Sequence, residues 1–131
     1  MIPKKRLLII DSSAEGAMGY NLFSLRAGGK LELARLQRPG ELPRETLLDY
    51  DAYFIHASDI ELEGFKKLRE ARPSAWIYMP FGGATGMNLV EANSRNLDVW
   101  AGIDIKFSLY PGIEECDAII KQILSGPRRQ T

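Results

Sequence analysis

Four consecutive aliphatic residues, Leu7-Leu8-Ile9-Ile10, stand between the basic start of the chain and Asp11. Alternation would mark a strand with one wet face. An unbroken run marks a strand covered on both faces, as in the middle of a parallel sheet. Parallel neighbours cannot be joined by hairpins, so the rest of the chain must supply crossover helices. Ser12 precedes Glu15 at the spacing of a capping box. Met18, Leu22 and Leu25 follow at i, i+4 and i+7, which predicts a helix from Ala14 to Arg26 with that stripe facing inward. Gly28-Gly29 stops it. Lys30 to Leu36 carries Leu31 and Leu33 in alternation and reads as an edge strand.

The same rhythm continues. After the Arg38-Pro39-Gly40 turn, Pro43 suits the first position of a short helix through Leu47, Leu48 and Asp49. Asp51 opens a third strand, Ala52 to His56. Leu62, Phe65 and Leu68 form the inward face of a helix from Glu61 to Arg72, ended before Pro73. Ala75 to Met79 is a fourth strand, and the Gly-rich segment from Phe81 to Gly86 leads into a helix from Met87 to Arg95. Asp104 to Tyr110 alternates as a fifth strand. The last helix, Ile113 to Leu124, sets Ile113, Cys116, Ile120 and Ile123 on one face. Strands alternating with helices in this way predict a doubly wound α/β sandwich, a (βα)5 chain whose right-handed crossovers make the sheet parallel. Ligand chemistry in such folds collects at the carboxyl ends of the strands. Those ends are Asp11-Ser12, His56-Ala57, Met79-Pro80 and Ser108 to Tyr110.

Composition removes several functions. Seventeen basic residues balance seventeen acidic ones, so the segment lacks the basic footprint of direct nucleic-acid binding. A single cysteine, Cys116, closes no intramolecular disulfide and builds no cysteine-rich zinc site; it reads as a small packed residue in a reducing, cytoplasmic setting. No apolar run approaches the roughly 20 residues of a membrane span, and the start is not a signal peptide. No metal, cofactor or catalytic residue is expected.

At the strand ends the sequence resembles the receiver domain of bacterial two-component response regulators, the CheY-like, flavodoxin-like fold. "KKRLLIIDSS" resembles the first receiver strand, which carries an acidic pair in that family. "LLDYDAYFIHAS" resembles the entry into the phosphoacceptor strand, and "IKFSLYPGIEECDAIIKQIL" the fifth strand, its Lys-Pro junction and the last helix. The resemblance implies a sheet in the order 2-1-3-4-5 and a receiver-like domain over residues 1–124, with 125–131 as a linker or disordered tail. It also implies a degenerate site. Of the acidic pair only Asp11 remains, with Ser12 beside it; the acceptor position, five residues after Asp51, holds His56. The hydroxyl residue of the fourth strand falls on Pro80, and the lysine of the fifth becomes Tyr110, still followed by Pro111.

Those replacements have chemical consequences. Aspartyl phosphorylation needs a carboxylate nucleophile and a Mg²⁺ held by hard oxygen ligands. An imidazole, a proline without an N–H and a neutral phenol supply none of these. The expectation is therefore a non-enzymatic pseudo-receiver that needs no phosphate. It would act as a protein-interaction or dimerisation module governing an attached output domain. Its interaction face would be formed by the predicted fourth helix, fifth strand and fifth helix. That face includes Asn88, Glu91, Asn96, Trp100, Lys106, Tyr110 and Glu114.

Other readings are weighed beside it. His56 could be a phosphohistidine or a pH sensor, but a hydrogen-bonded filler of the vacated pocket is preferred. Asp11 is read as neutralising the first helix N-terminus rather than as a relic metal ligand. Asp59 is a displaced acceptor only if the loop is remodelled. Gly82 to Gly86 could be an anion nest, though the loop reading is preferred, since it matches neither a P-loop nor the dinucleotide fingerprint. The Tyr110–Pro111 bond is expected to be cis, as the family's Lys-Pro bond is. Trp76 and Trp100 are both read as core or rim residues rather than ligand platforms, and Trp100, in the loop before the fifth strand, is an interface anchor if exposed there. The alternative function is a nucleotide or anion sensor on the same fold; a flavin carrier or enzyme is least supported.

Overall fold

The computed structural model describes residues 4–10, 14–36, 49–56, 62–80, 104–107 and 112–128. The elements run β1 (Lys5–Ile10), α1 (Ala14–Ala27), β2 (Leu31–Leu36), β3 (Ala52–Ile55), α2 (Leu62–Ala71), β4 (Trp76–Pro80), β5 (Ile105–Phe107) and α3 (Ile113–Ser125). The sheet is five-stranded and parallel in the order β2-β1-β3-β4-β5, with β2 on an edge. The expected short helix from Pro43 lies outside the described residues except for Asp49, which stands in a bend, and the expected helix over 87–95, the Ser12 capping box and the Tyr110–Pro111 bond lie outside them altogether.

The continuous apolar run does what its composition demands. Leu7, Leu8 and Ile9 have no exposed surface, and β3 is buried along its whole length. Alternate residues serve opposite faces. Leu7, Ile9, Ala52, Phe54 and Tyr78 join Phe23 and Ala27 of α1 and Cys116, Ile119, Ile120 and Ile123 of α3 in one apolar cluster. Leu8, Tyr53, Ile55, Ile77 and Met79 are equally buried but point to the opposite face. The chain moves one way across the sheet from β1 to β2 and the other way from β3 to β4. Right-handed crossovers therefore put α1 and α2 on opposite faces.

The face that α1 presents differs from the sequence expectation. Met18 and Leu25 are 71% and 76% exposed, while Gly19, Phe23 and Ala27 are buried. The helix seats the row i, i+4, i+8 in which one large ring lies between two small residues. Gly19 and Ala27 are the small buried residues on either side of it, and Phe23 meets Phe54 edge-on with centroids 5.3 Å apart. Leu22 packs only at the margin of the cluster. In α3 the buried set is Cys116, Ile119, Ile120 and Ile123, and Ile113 is 55% exposed rather than inward. Gly28 and Gly29 both take positive φ and end α1 as expected.

Two aspartates bracket the starts of strands. Asp51, one residue before β3, donates its N–H to the Arg6 carbonyl and accepts the Arg6 N–H on its carboxylate, both at 2.9 Å. Asp104, one residue before β5, does the same to Ile77 of β4, at 2.8 and 2.7 Å. Each Asp thus adds a side-chain rung below the first backbone rung of its strand pair. Ser125 closes α3 instead of opening a tail. The next residues are held against the base of β4, where the Trp76 indole N–H donates to the Gly126 carbonyl and the Arg128 N–H to the Ser74 carbonyl, both at 2.8 Å.

Candidate functional site

The strand order reverses between β1 and β3, and in an open α/β sheet the crevice at that reversal, at the carboxyl ends, is where ligands sit. β1 and β3 pair in register from Leu7 opposite Ala52 to Ile10 opposite Ile55. The next residue of β3's path is His56, whose N–H donates to the Ile10 carbonyl at 2.9 Å. His56 therefore stands at the switch point. The residue is only 8% exposed, the one buried polar residue of the described core.

The neighbouring strands define the rest of the row. Phe54 is opposite Tyr78, so carrying that register forward by two residues brings Pro80 level with His56. Pro80 is itself paired with Phe107 of β5, and Met79 with Lys106. His56 shares the parity of Ala52 and Phe54, the face that packs on α1 and α3. On that face the positions of β1, β3 and β4 that join the core, Ile9, Phe54 and Tyr78, are apolar or aromatic. Tyr78 turns its hydroxyl away to donate to Gln122 at 2.6 Å, and burial pushes its pKa up. The residues that close β1, β3, β4 and β5 here, namely Ile10, Ile55 with His56, Pro80 and Phe107, bring no carboxylate. Among the described residues no three of His, Cys, Asp and Glu converge as a metal site would require. Asp11, Ser12 and Tyr110 lie outside the described residues, as do Asp59 and the Gly82 to Gly86 segment.

Of the expected interaction face, Glu114 is exposed in the first turn of α3 and Lys106 is in β5; Asn88, Glu91, Asn96, Trp100 and Tyr110 lie outside the described residues. Cys116 is buried as expected, and its thiol is pushed up to about 11 by burial, with the charges of Asp117 and Glu115 adding. Such a thiol is inert at neutral pH. Among the described residues no helix is long and apolar enough to cross a membrane.

One charged cluster carries no signal that the sequence reading used. At the opposite end of the sheet, the Asp104 carboxylate lies between two guanidiniums, with Arg69 Nη2 at 3.2 Å on one oxygen and Arg128 Nε on the other. Arg69 also donates to the Ala75 carbonyl at 2.7 Å and so closes the α2–β4 turn. Burial, with the nearby charge of Arg128, lowers the Arg69 pKa, and Asp104 opposes the shift. The partners are 24 and 35 residues apart in sequence, beyond the reach of any local pattern.

No protein-family model and no curated protein matches the sequence. Solved structures do match its fold. A CheY-like response regulator receiver domain protein from Methanospirillum hungatei superposes with a TM-score of 0.61 at 15% identity, over 94% of this chain and 98% of that one. The response regulator DrrB, an OmpR/PhoB homolog from Thermotoga maritima, gives 0.62 at 15% identity, over 94% of this chain and 54% of that one. A protein described as an adenylate cyclase from Rhodopirellula baltica gives 0.65 at 12% identity, over 94% and 89%. With five parallel strands in the order 2-1-3-4-5 and its candidate site at the β1/β3 reversal, the chain has the CheY-like fold of response regulator receiver domains.

Proposed function

We propose that this domain is a pseudo-receiver, a signal-transduction module that works by binding and not by phosphotransfer. The observation that carries the reading is His56. It is buried at the carboxyl end of β3 at the switch point, the position that the resemblance to receivers assigns to the acceptor carboxylate. An imidazole there neither forms an acyl phosphate nor offers Mg²⁺ the hard oxygen ligands it requires. Pro80, level with it, has no hydroxyl or N–H to hold a phosphoryl oxygen. Asp11 is the one acidic residue left of the pair in sequence.

Without a phosphate switch, output comes from association. The partner is another protein or a second copy of the chain, held on the face that includes Asn88, Glu91, Asn96, Trp100, Lys106, Tyr110 and Glu114, with Trp100 as its aromatic anchor. The domain would govern an attached output region in the cytoplasm; the DrrB chain extends well beyond the 54% of it that this chain matches.

Incubation with acetyl phosphate and Mg²⁺, followed by intact mass measurement, tests the reading. The mass stays unchanged, and light scattering on the same samples shows self-association that is indifferent to acetyl phosphate and reduced by Trp100→Ala. A gain of about 80 Da that disappears on replacing one acidic residue, Asp11 or Asp59, would overturn the proposal.

A further inference from the structure

The base of β4 and β5 holds a built contact that the pseudo-receiver reading does not use. Three groups of the segment after α3 are recognised there. The Gly126 carbonyl accepts from the Trp76 indole, the Arg128 N–H donates to the Ser74 carbonyl, and the Arg128 guanidinium reaches both Asp104 and the Pro73 carbonyl. Asp104 is 10% exposed and Arg69, its other partner, 15%. A carboxylate so enclosed is held by charge-assisted bonds on both oxygens. The same carboxylate accepts the Ile77 N–H, and its own N–H returns to the Ile77 carbonyl, which ties β5 to β4.

We propose that Asp104 couples the C-terminal segment to the β4–β5 pair, so that docking of residues 126–128 and tight pairing at the base of these strands are one two-state event. The ligand of this site is an arginine-bearing peptide segment, supplied here by the chain itself. The physical warrant is that one side chain serves both contacts. When Arg128 leaves, one oxygen of a nearly buried carboxylate loses its cation and takes water, and the bracket on Ile77 loosens with it. By linkage the converse holds: a change that shifts β5 changes the affinity for the segment by the same factor. The site lies at the end of the sheet opposite His56, so the segment docks remote from the switch-point crevice. This inference does not depend on whether that crevice accepts phosphate.

Amide hydrogen exchange on the full chain tests it, with Arg128→Gln as the variant. In the unaltered chain the Arg128, Ile77 and Asp104 amides are protected together. In the variant all three exchange about tenfold faster, while Leu8 and Ile9 of β1 keep their protection. Asp104→Asn gives the same pattern where it folds; Arg128→Gln, which removes a group 22% exposed, decides the matter alone if it does not. Faster exchange at Arg128 with Ile77 and Asp104 unchanged would show a passive tail and overturn the coupling. An Arg128 amide unprotected in the unaltered chain would overturn the docking itself.

Discussion

His56, Asp51 and Asp104 show how differently single residues can be read from sequence. Asp51 and Asp104 each stand directly before a strand, a position visible in the chain, and each spends its carboxylate on the neighbouring strand's N–H. Counting five residues from Asp51 leads to His56, and the β1–β3 register puts it at the switch point. What could not be read were the partners of Asp104, because Arg69 and Arg128 reach it only after two crossovers have formed. The most demanding single residue is Phe23. It is fully buried between α1 and the sheet and meets Phe54 edge-on. Phe23→Ala should cost about 3–5 kcal/mol in urea unfolding, the range for removing a core ring with little collapse.

At the scale of elements, α1 is the instructive case. Its existence and its stop at Gly28-Gly29 follow from local chemistry. Its facing does not, because two large apolar residues, Met18 and Leu25, point outward while a row of Gly19, Phe23 and Ala27 points in. Leu25→Lys should therefore change unfolding stability by less than about 0.5 kcal/mol. Leu8→Ala, in fully buried β1, should cost about 2–5 kcal/mol. An equal loss at both sites would mean that α1 is rotated. Helix α3, by contrast, buries an i, i+3, i+4, i+7 set that its sequence shows almost correctly. It is further joined to α1 by the paired Arg26 and Asp117 side chains, whose mutual hydrogen bonds raise the first pKa and lower the second.

For the whole molecule, burial of weak acids between the layers sets a pH dependence. Burial pushes the Cys116 thiol up to about 11 and the Tyr53 phenol up to about 12, and it raises Tyr78 as well. All three keep their protons to higher pH in the folded chain than in the unfolded one. Their stabilising contribution is complete below about pH 9 and is lost as pH rises through the folded values, because the unfolded state then binds fewer protons. Urea midpoints should fall steadily between about pH 9 and 12, and Cys116→Ala should remove the earliest part of that fall. A midpoint independent of pH across this window would contradict the burial of these groups.

The sequence by itself determined that the chain is a parallel α/β sandwich, because runs such as Leu7 to Ile10 can be satisfied only by cover on both faces and local turn chemistry fixes where each element stops. Tertiary structure alone decided which face α1 presents, which cations Asp104 gathers, and that residues 126–128 return to the base of β4. Periodicity is a property of neighbours along the chain, whereas these contacts join residues far apart in sequence and are selected by fit and charge once the layers have met.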